Sequence, residues 1–289
     1  MAITYDLVKQ VSADLYEWSL KKVPDDTLNT MRAALETESG ENAKKVLKFM
    51  LLSAERAEEE DRFLCSDAGV PVYVVKIGTA AQLDGDIKRA FADGFADLVE
   101  RIDPPILKFV QNPLTNERSY QGKDMPIVSW DLKDGADYME ITCSPKALGA
   151  GRWAQLEIFV YPTLEDIEKY IMDCVIRAGS QPCPPVMIGV GIGGSFDHAA
   201  KMAKQATLRQ LGSENPEPIL ADMERRLFKA INATGFGPMG QGGDTTALGI
   251  HIDYSAGHGF TPVAVCFNCW INRRTTARIF NSGTVERIE

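Results

Sequence analysis

Residues 182–194 read PCPPVMIGVGIGG, and this run decides the fold class. Val186, Met187, Ile188, Val190 and Ile192 form a short apolar run with Pro184-Pro185 in front and Gly193-Gly194 behind. That pattern predicts a buried strand ending in a tight glycine turn. A helical pattern, TLEDIEKYIMDCVIRAG (163–179), precedes it: Thr163 can cap the helix, Asp166 can complete a capping box and Gly179 can end it. Two more helical patterns follow over 195–211 and 217–233. Strands alternating with helices favour a layered α/β domain.

Working outward, PVYVVKIG (71–78), WAQLEIFVY (153–161) and PVAVCFN (262–268) read as further strands. The segments IVSWDL and YMEITCS are expected to pair with each other through a turn at Lys133-Asp134-Gly135. SPKALGAG (144–151) reads as a loop. The first 60 residues read as helical: Asp25 or Asp26 can cap one helix, and Ser39 a longer one on which Val46, Met50 and Ala54 share a face. Residues 82–101 read as another amphipathic helix, and Asp103–Asp124 as irregular, punctuated by Pro104, Pro105, Pro113 and Gly122. The fold class is therefore α/β, with mixed sheets flanked by helices and a helical N-terminal region. No repeat or flexible linker divides the chain, so residues 1–289 are taken as one domain, with 1–60 helical and 61–289 its core.

Composition narrows the function. The 289 residues carry a net charge of -9, with 45% hydrophobic and 25% charged residues, ordinary for a soluble globular protein. An acidic chain gains little from counterion release, so general nucleic-acid binding is not expected. No apolar run reaches the ~18 residues of a membrane span, and the N-terminus lacks a secretory pattern. Six cysteines in so long a chain argue for a reducing cytoplasm rather than a disulfide scaffold.

Three cysteines stand beside glycine, proline or a strand end: Cys65 in LCSDAGVPVYVVKIG, Cys183 in AGSQPCPPVMIGVGIGG, and Cys269 after PVAVCFN. Cys143 and Cys174 lie in a strand and a helix and read as core fillers. Cys266 and Cys269 form C-x-x-C, a spacing that alone suggests redox or zinc chemistry, but no second pair has metal-site spacing. Gly189, Gly191 and Gly194 spell the dinucleotide fingerprint G-x-G-x-x-G. Glu214, about 20 residues on, follows a helix instead of ending a second strand, so a tight turn is the better reading. Asp67 is open between a turn residue and a proton carrier. Of the three histidines, His251 reads as a core histidine and His198 as a solvent-facing helix start.

Taken together, LCSDAG, PCPPVMIGVGIGG and GFGPMGQGGDTTALG with CW and RR further on resemble the α subunit of class I fumarases and L-tartrate dehydratases, over about Arg62 to Arg274. The resemblance implies a 4Fe–4S cluster on Cys65, Cys183 and Cys269. Three ligands for four irons leave one iron open as a Lewis acid, whereas electron-transfer clusters normally use four cysteines. It further implies proton transfer by Asp67 and His258, and substrate contacts from Ser66, Lys108, Lys146, Gly149 and Gly193. The reaction implied is reversible addition or removal of water on a small 2-hydroxy dicarboxylate. The remaining active-site residues of that family lie on a β subunit or a C-terminal domain. This sequence ends at ERIE soon after the last cysteine segment, so a separate β chain, in a dimer or α2β2 assembly, is expected.

The departures fall on substrate positions. Ser66 replaces the usual glutamine. PPILKFVQNP offers Lys108 where the family has an arginine, losing a bidentate fork. The loop Lys146-Ala-Leu-Gly149-Ala-Gly151 replaces Lys-Gly-Gly-Gly-Ser. His258 stands one residue closer to Cys269 than is usual. A retained cluster with an altered substrate follows from these changes. The alternatives are a non-catalytic or regulatory cluster-binding subunit, a dinucleotide-dependent oxidoreductase using the Gly189–Gly194 loop, and a zinc protein using Cys266 and Cys269. Arg273-Arg274, after Cys269-Trp270, resemble the family's CWAARR, which implies orienting the cluster region or docking a partner; as a bare charge pair they are expected on a solvated surface.

Overall fold

The structure is a computed structural model and describes residues 2–288. In chain order its first elements are β1 (Ile3–Thr4), α1 (Tyr5–Lys21), α2 (Asp25–Thr37), α3 (Glu41–Glu59), β2 (Val72–Gly78), β3 (Leu83–Asp84) and α4 (Ile87–Arg101). Then come β4 (Val110–Gln111), β5 (Arg118–Ser119), β6 (Ile127–Lys133), β7 (Tyr138–Cys143), α5 (Leu148–Gly151), β8 (Gln155–Val160) and α6 (Leu164–Ala178). The last are β9 (Val186–Gly193), α7 (Phe196–Ala206), α8 (Pro218–Asn232), β10 (Ala247–Ser255), β11 (Phe260–Asn268), β12 (Thr275–Phe280) and β13 (Val285–Arg287). The expected α/β class, with mixed sheets and a helical N-terminal region, is what forms. The chain builds two compact units, residues 1–24, 54–147 and 273–289 in one and residues 25–53 and 148–272 in the other.

The first unit holds a five-stranded sheet in the order β13-β12-β7-β2-β6. β2 reads Val-Tyr-Val-Val, buried on both faces as a central strand is, and its buried backbone groups need a paired strand on each edge. It pairs parallel with β6 and antiparallel with β7, and β7 continues to β12. The expected hairpin between IVSWDL and YMEITCS is therefore corrected: β6 and β7 do not touch as a pair, because β2 lies between them. Alternation within each strand is visible in sequence, but which partner fills an edge is not. Helices α1 and α4 cover this sheet and cross closely at Gly94, where a Cβ would stand 2.3 Å from the Lys9 carbonyl. Tyr16 meets Phe95 edge-on at 5.3 Å, and the Tyr73 hydroxyl donates to the Ser12 carbonyl at 2.8 Å. The predicted helix over 82–101 begins only at Ile87, where the Asp86 carboxylate accepts from Arg89 N.

The second unit holds a four-stranded sheet in the order β10-β9-β11-β8. β9 runs parallel to β10 and antiparallel to β11, with Met187 opposite Asn268 and Ile192 opposite Val263. Ile188, Val190, Val263, Val265 and Phe267 pack against α6 and α8. Side chains alternate along a strand, so Gly189 and Gly191 face the other way, toward α7. A Cβ at Gly189 would meet the Ala203 carbonyl at 2.0 Å, and one at Gly191 the Ala199 carbonyl at 2.1 Å. The glycines of the apparent dinucleotide fingerprint thus serve close helix–strand packing. Helix α6 starts with the expected capping box of Thr163 and Asp166 and ends at Gly179 with φ +52. SPKALGAG is not wholly loop, since 148–151 form one short helical turn. β8 is an edge strand whose outward row, Leu156, Ile158 and Val160, is exposed. No helix among the described residues is long and apolar enough to cross a membrane.

Candidate functional site

In the second unit, Cys183 sits just before β9 with φ +57, an unfavourable conformation for a side-chain-bearing residue. Three backbone contacts hold it there. Cys183 N donates to the Ser180 carbonyl at 3.3 Å, Trp270 N donates to the Cys183 carbonyl at 3.2 Å, and Met239 N donates to the Pro184 carbonyl at 2.8 Å. The Trp270 bond brings the Cys269–Trp270 peptide against Cys183. The Met239 bond comes from the turn Pro238–Gly240 of the glycine-rich segment. That segment is anchored by buried Glu38, whose carboxylate accepts from Asp244 N at 2.8 Å, Thr245 N at 3.1 Å and Thr245 Oγ1 at 2.9 Å. Cys183 and Cys269 are both partly exposed.

The neighbouring thiols differ. Cys266 is buried on the α7 side with Ala199, Met202 and Ala203, whereas Cys269 packs against the opposite core. The two cysteines of C-x-x-C are therefore not presented together, which removes the geometric basis for a zinc pair. Burial pushes the Cys143 thiol well up, and desolvation likewise raises Cys174. Both are inert fillers, as expected. His251 is a buried core histidine with Nδ1 at 3.2 Å from the Ala206 carbonyl, and His198 is exposed on the first turn of α7.

Gly193 and His258 lie at the other end of this sheet. β11 runs antiparallel to β9, so its C-terminal end, carrying Cys269, aligns with the start of β9 beside Cys183. Gly193 (φ +82) ends β9, and Gly257 packs on Gly194, with a Cβ there 2.9 Å from Gly194 N. At ~3.3 Å per residue, the eight residues of β9 put His258 and Gly193 on the order of 20 Å from the two cysteines. Phe260 N donates to His258 Nδ1 at 3.2 Å and the two rings stack at 4.9 Å. With Nδ1 accepting, the neutral imidazole carries its proton on Nε2. Gly149, in α5, lies at the cysteine end, since α5 leads into β8 and Gln155 pairs with Val265. A Cβ at Gly149 would meet nothing within 4 Å, so its backbone is open.

In the first unit, Cys65 and Ser66 are exposed and Asp67 is partly buried in a turn closed by Ala68 N on the Ser66 carbonyl at 3.1 Å. Val70 bridges to Lys146, and Gly69 (φ +77) packs on the Lys146 carbonyl, where a Cβ would come within 2.7 Å. The Tyr16 hydroxyl donates to the Gly69 carbonyl at 2.8 Å. Cys65, Ser66, Asp67 and Lys146 are thus gathered at the end of the sheet where β2 begins and β7 stops. A groove of about 750 Å³ opens at this end, lined by Val70, Val110, Gln111, Asn112, Lys123 and Ile127 among others. Lys108 does not line it; its Nζ lies 5.7 Å from the Tyr120 ring centre. The groove-lining polar residues were not singled out from sequence, because irregular segments carry no periodic signal.

Arg273 and Arg274 overturn their surface expectation: they are 4% and 2% exposed. Arg273 Nη1 donates to the Asp67 carbonyl at 2.8 Å, and Ser144 Oγ donates to the Arg273 carbonyl at 2.9 Å. A charge pair carries no sequence sign of burial.

Among the described residues, no three His, Cys, Asp or Glu side chains are gathered around a point fit for one metal ion. A mononuclear site needs its ligands around a single ion, whereas cluster cysteines each reach a different iron and stand further apart. In donor chemistry the three cysteines fit an iron–sulfur group: they are the accessible thiols, and buried Arg273 nitrogens without acceptors adjoin the Cys65 turn.

Comparison with known proteins adds the family. The model for fumarate hydratase (fumerase) matches residues 9–278. A Methanocaldococcus jannaschii protein, provisionally named L(+)-tartrate dehydratase subunit alpha, is 32% identical over 280 residues, covering 94% of this chain and 97% of its own. The L(+)-tartrate dehydratase subunit alpha of Escherichia coli K12 is 27% identical over 271 residues, covering 92% and 89%, and that of Shigella sonnei matches equally. With the family match spanning nearly the whole chain, this protein belongs to the fumarate hydratase (fumerase) family.

Proposed function

We propose that this hydro-lyase is a 4Fe–4S-dependent α subunit that adds water to, or removes it from, a small 2-hydroxy dicarboxylate of tartrate or malate type. The observation that carries the reading is the backbone frame that sets Cys183 against the Cys269–Trp270 peptide, with both thiols accessible. Cys65, Cys183 and Cys269 are the ligands in this reading. When bound, the cluster supplies a Lewis-acidic iron with an open position for the hydroxyl of the substrate. Asp67, in the Cys65 turn, takes or returns a proton at its carboxylate. Ser66 and Lys146 bind the substrate from the same end of the sheet, and the open backbone of Gly149 seats a carboxylate. Lys108 reaches a substrate only by leaving the Tyr120 ring.

His258 and Gly193 stand about the length of β9 from Cys183 and Cys269. Their part in the same chemistry requires a second copy of the chain to bring the two ends together, in the dimer or α2β2 assembly proposed here. The exposed apolar row of β8 supports an associating surface on this unit. A β-type partner chain is part of the proposal, supported by the subunit-alpha names of the relatives, and so is a reducing, cytoplasmic setting.

The test is anaerobic iron and sulfide analysis of the purified chain, then assays with its β partner on L-tartrate, malate, fumarate and mesaconate. About four irons per chain and turnover favouring a 2-hydroxy dicarboxylate over fumarate are expected. A chain that takes up no iron or sulfide would sink the cluster reading. Fast fumarate hydration would sink the altered-substrate part.

A further inference from the structure

Arg273 is more deeply buried than its expected role explains. Its guanidinium makes one hydrogen bond, Nη1 to the Asp67 carbonyl at 2.8 Å. Nε and Nη2 are buried and meet no hydrogen-bond acceptor. A desolvated cation whose donors are left unmet destabilises the fold that holds it. The positional task alone does not call for it. The turn from Cys65 to Val70 is already fixed by Tyr16 on the Gly69 carbonyl, by Ala68 on the Ser66 carbonyl and by the Val70–Lys146 bridge. What Arg273 adds is charge, two residues from Cys65.

We propose that Arg273 is a positioning residue whose buried positive charge is matched to the anionic, thiolate-ligated cluster held in part by Cys65; this rests on the cluster reading above. A substrate carboxylate is the weaker match, because Nε and Nη2 are closed to solvent and a diffusing ligand has no open path to them. The charge acts through space and through the Asp67 peptide, in a low-dielectric surrounding where its field is poorly screened. It favours the reduced over the oxidised cluster.

The test compares wild type with Arg273→Lys, Arg273→Gln and Arg273→Met in the full chain, before and after anaerobic loading. Redox titration followed by electron paramagnetic resonance should give a more negative midpoint potential for Gln and Met than for wild type, with Lys near wild type. Unloaded Arg273→Met should melt at or above unloaded wild type, and should gain less on loading. Equal potentials in all four loaded proteins overturn the proposal. So does an unloaded Met variant that melts far lower or does not fold, since that marks a purely structural residue. A wild type that takes up no cluster overturns the cluster reading itself, and the melting of the unloaded proteins still reports whether the buried guanidinium costs stability.

Discussion

At the scale of single residues, the sequence separated the cysteines only in part. Cys143 and Cys174 were legible as filler because each falls inside a periodic element, and burial makes them poor thiolates. The choice between Cys266 and Cys269 was not settled by spacing; it depends on which face of β11 each one joins, a property of strand register. Cys269→Ser in the loaded chain is expected to lose most of its iron and at least about 100-fold in turnover, on the scale of losing an essential catalytic group. Cys266→Ala should keep its iron and lose only about 1 kcal/mol of stability, as a small buried truncation does. Iron analysis and denaturant titration of the two variants check both outcomes; iron loss from Cys266→Ala with retention in Cys269→Ser would reverse the assignment. The burial of Arg273 could not be read from sequence, because adjacent arginines are usually solvated and nothing local marks these as buried.

At the scale of elements, local chemistry was readable and partner choice was not. The Thr163–Asp166 box and Gly179 specified α6 to the residue. By contrast β6 and β7, separated by a plausible turn, are parted by β2, which pairs with one on each edge. The G-x-G-x-x-G pattern was read as a turn, but its first two glycines proved to be packing positions inside β9. Gly191→Ala would drive a methyl against the α7 backbone and should cost about 1–3 kcal/mol or prevent folding, as overpacking does. A dinucleotide site would instead predict a folded variant that has lost nicotinamide binding, and denaturant titration with a cofactor titration separates the two. Acid lability belongs to this scale too. The Thr163 hydrogen bonds hold Asp166 below the usual carboxylate range. At Glu140, burial works upward, but the Arg278 hydrogen bond and the Lys76 charge outweigh it and the net shift is downward. A carboxylate depressed in the folded state stabilises it above the unfolded value near pH 4 and loses that contribution as pH falls through the folded value. Melting temperature should therefore be flat from about pH 7 to 5 and fall steadily below about pH 4. A rise in that range would contradict these shifts.

At the scale of the whole molecule, the sequence placed its candidate residues in one list, and the fold distributes them. Cys65, Ser66, Asp67 and Lys146 belong to one unit; Cys183, Cys269 and Gly149 to one end of the other unit's sheet; Gly193 and His258 to the opposite end. That separation was hidden because His258 and Cys269 are near neighbours in sequence, and only the extended course of β11 carries them apart. A histidine and a cysteine at opposite ends of one strand cannot serve one site within a chain, but a two-fold assembly can set the histidine of each copy at the cysteines of the other. His258→Asn and Cys269→Ser should each be nearly inactive alone with the β partner. Mixed before assembly in equal amounts, half the dimers are heterodimers with one intact site of two, so activity should return to roughly a quarter of wild type. Recovery that depends on subunit exchange would locate His258 at the neighbouring copy's cysteines. Activity that stays at the floor after proven exchange would remove it from that site, and full activity of His258→Asn alone would remove it from the chemistry.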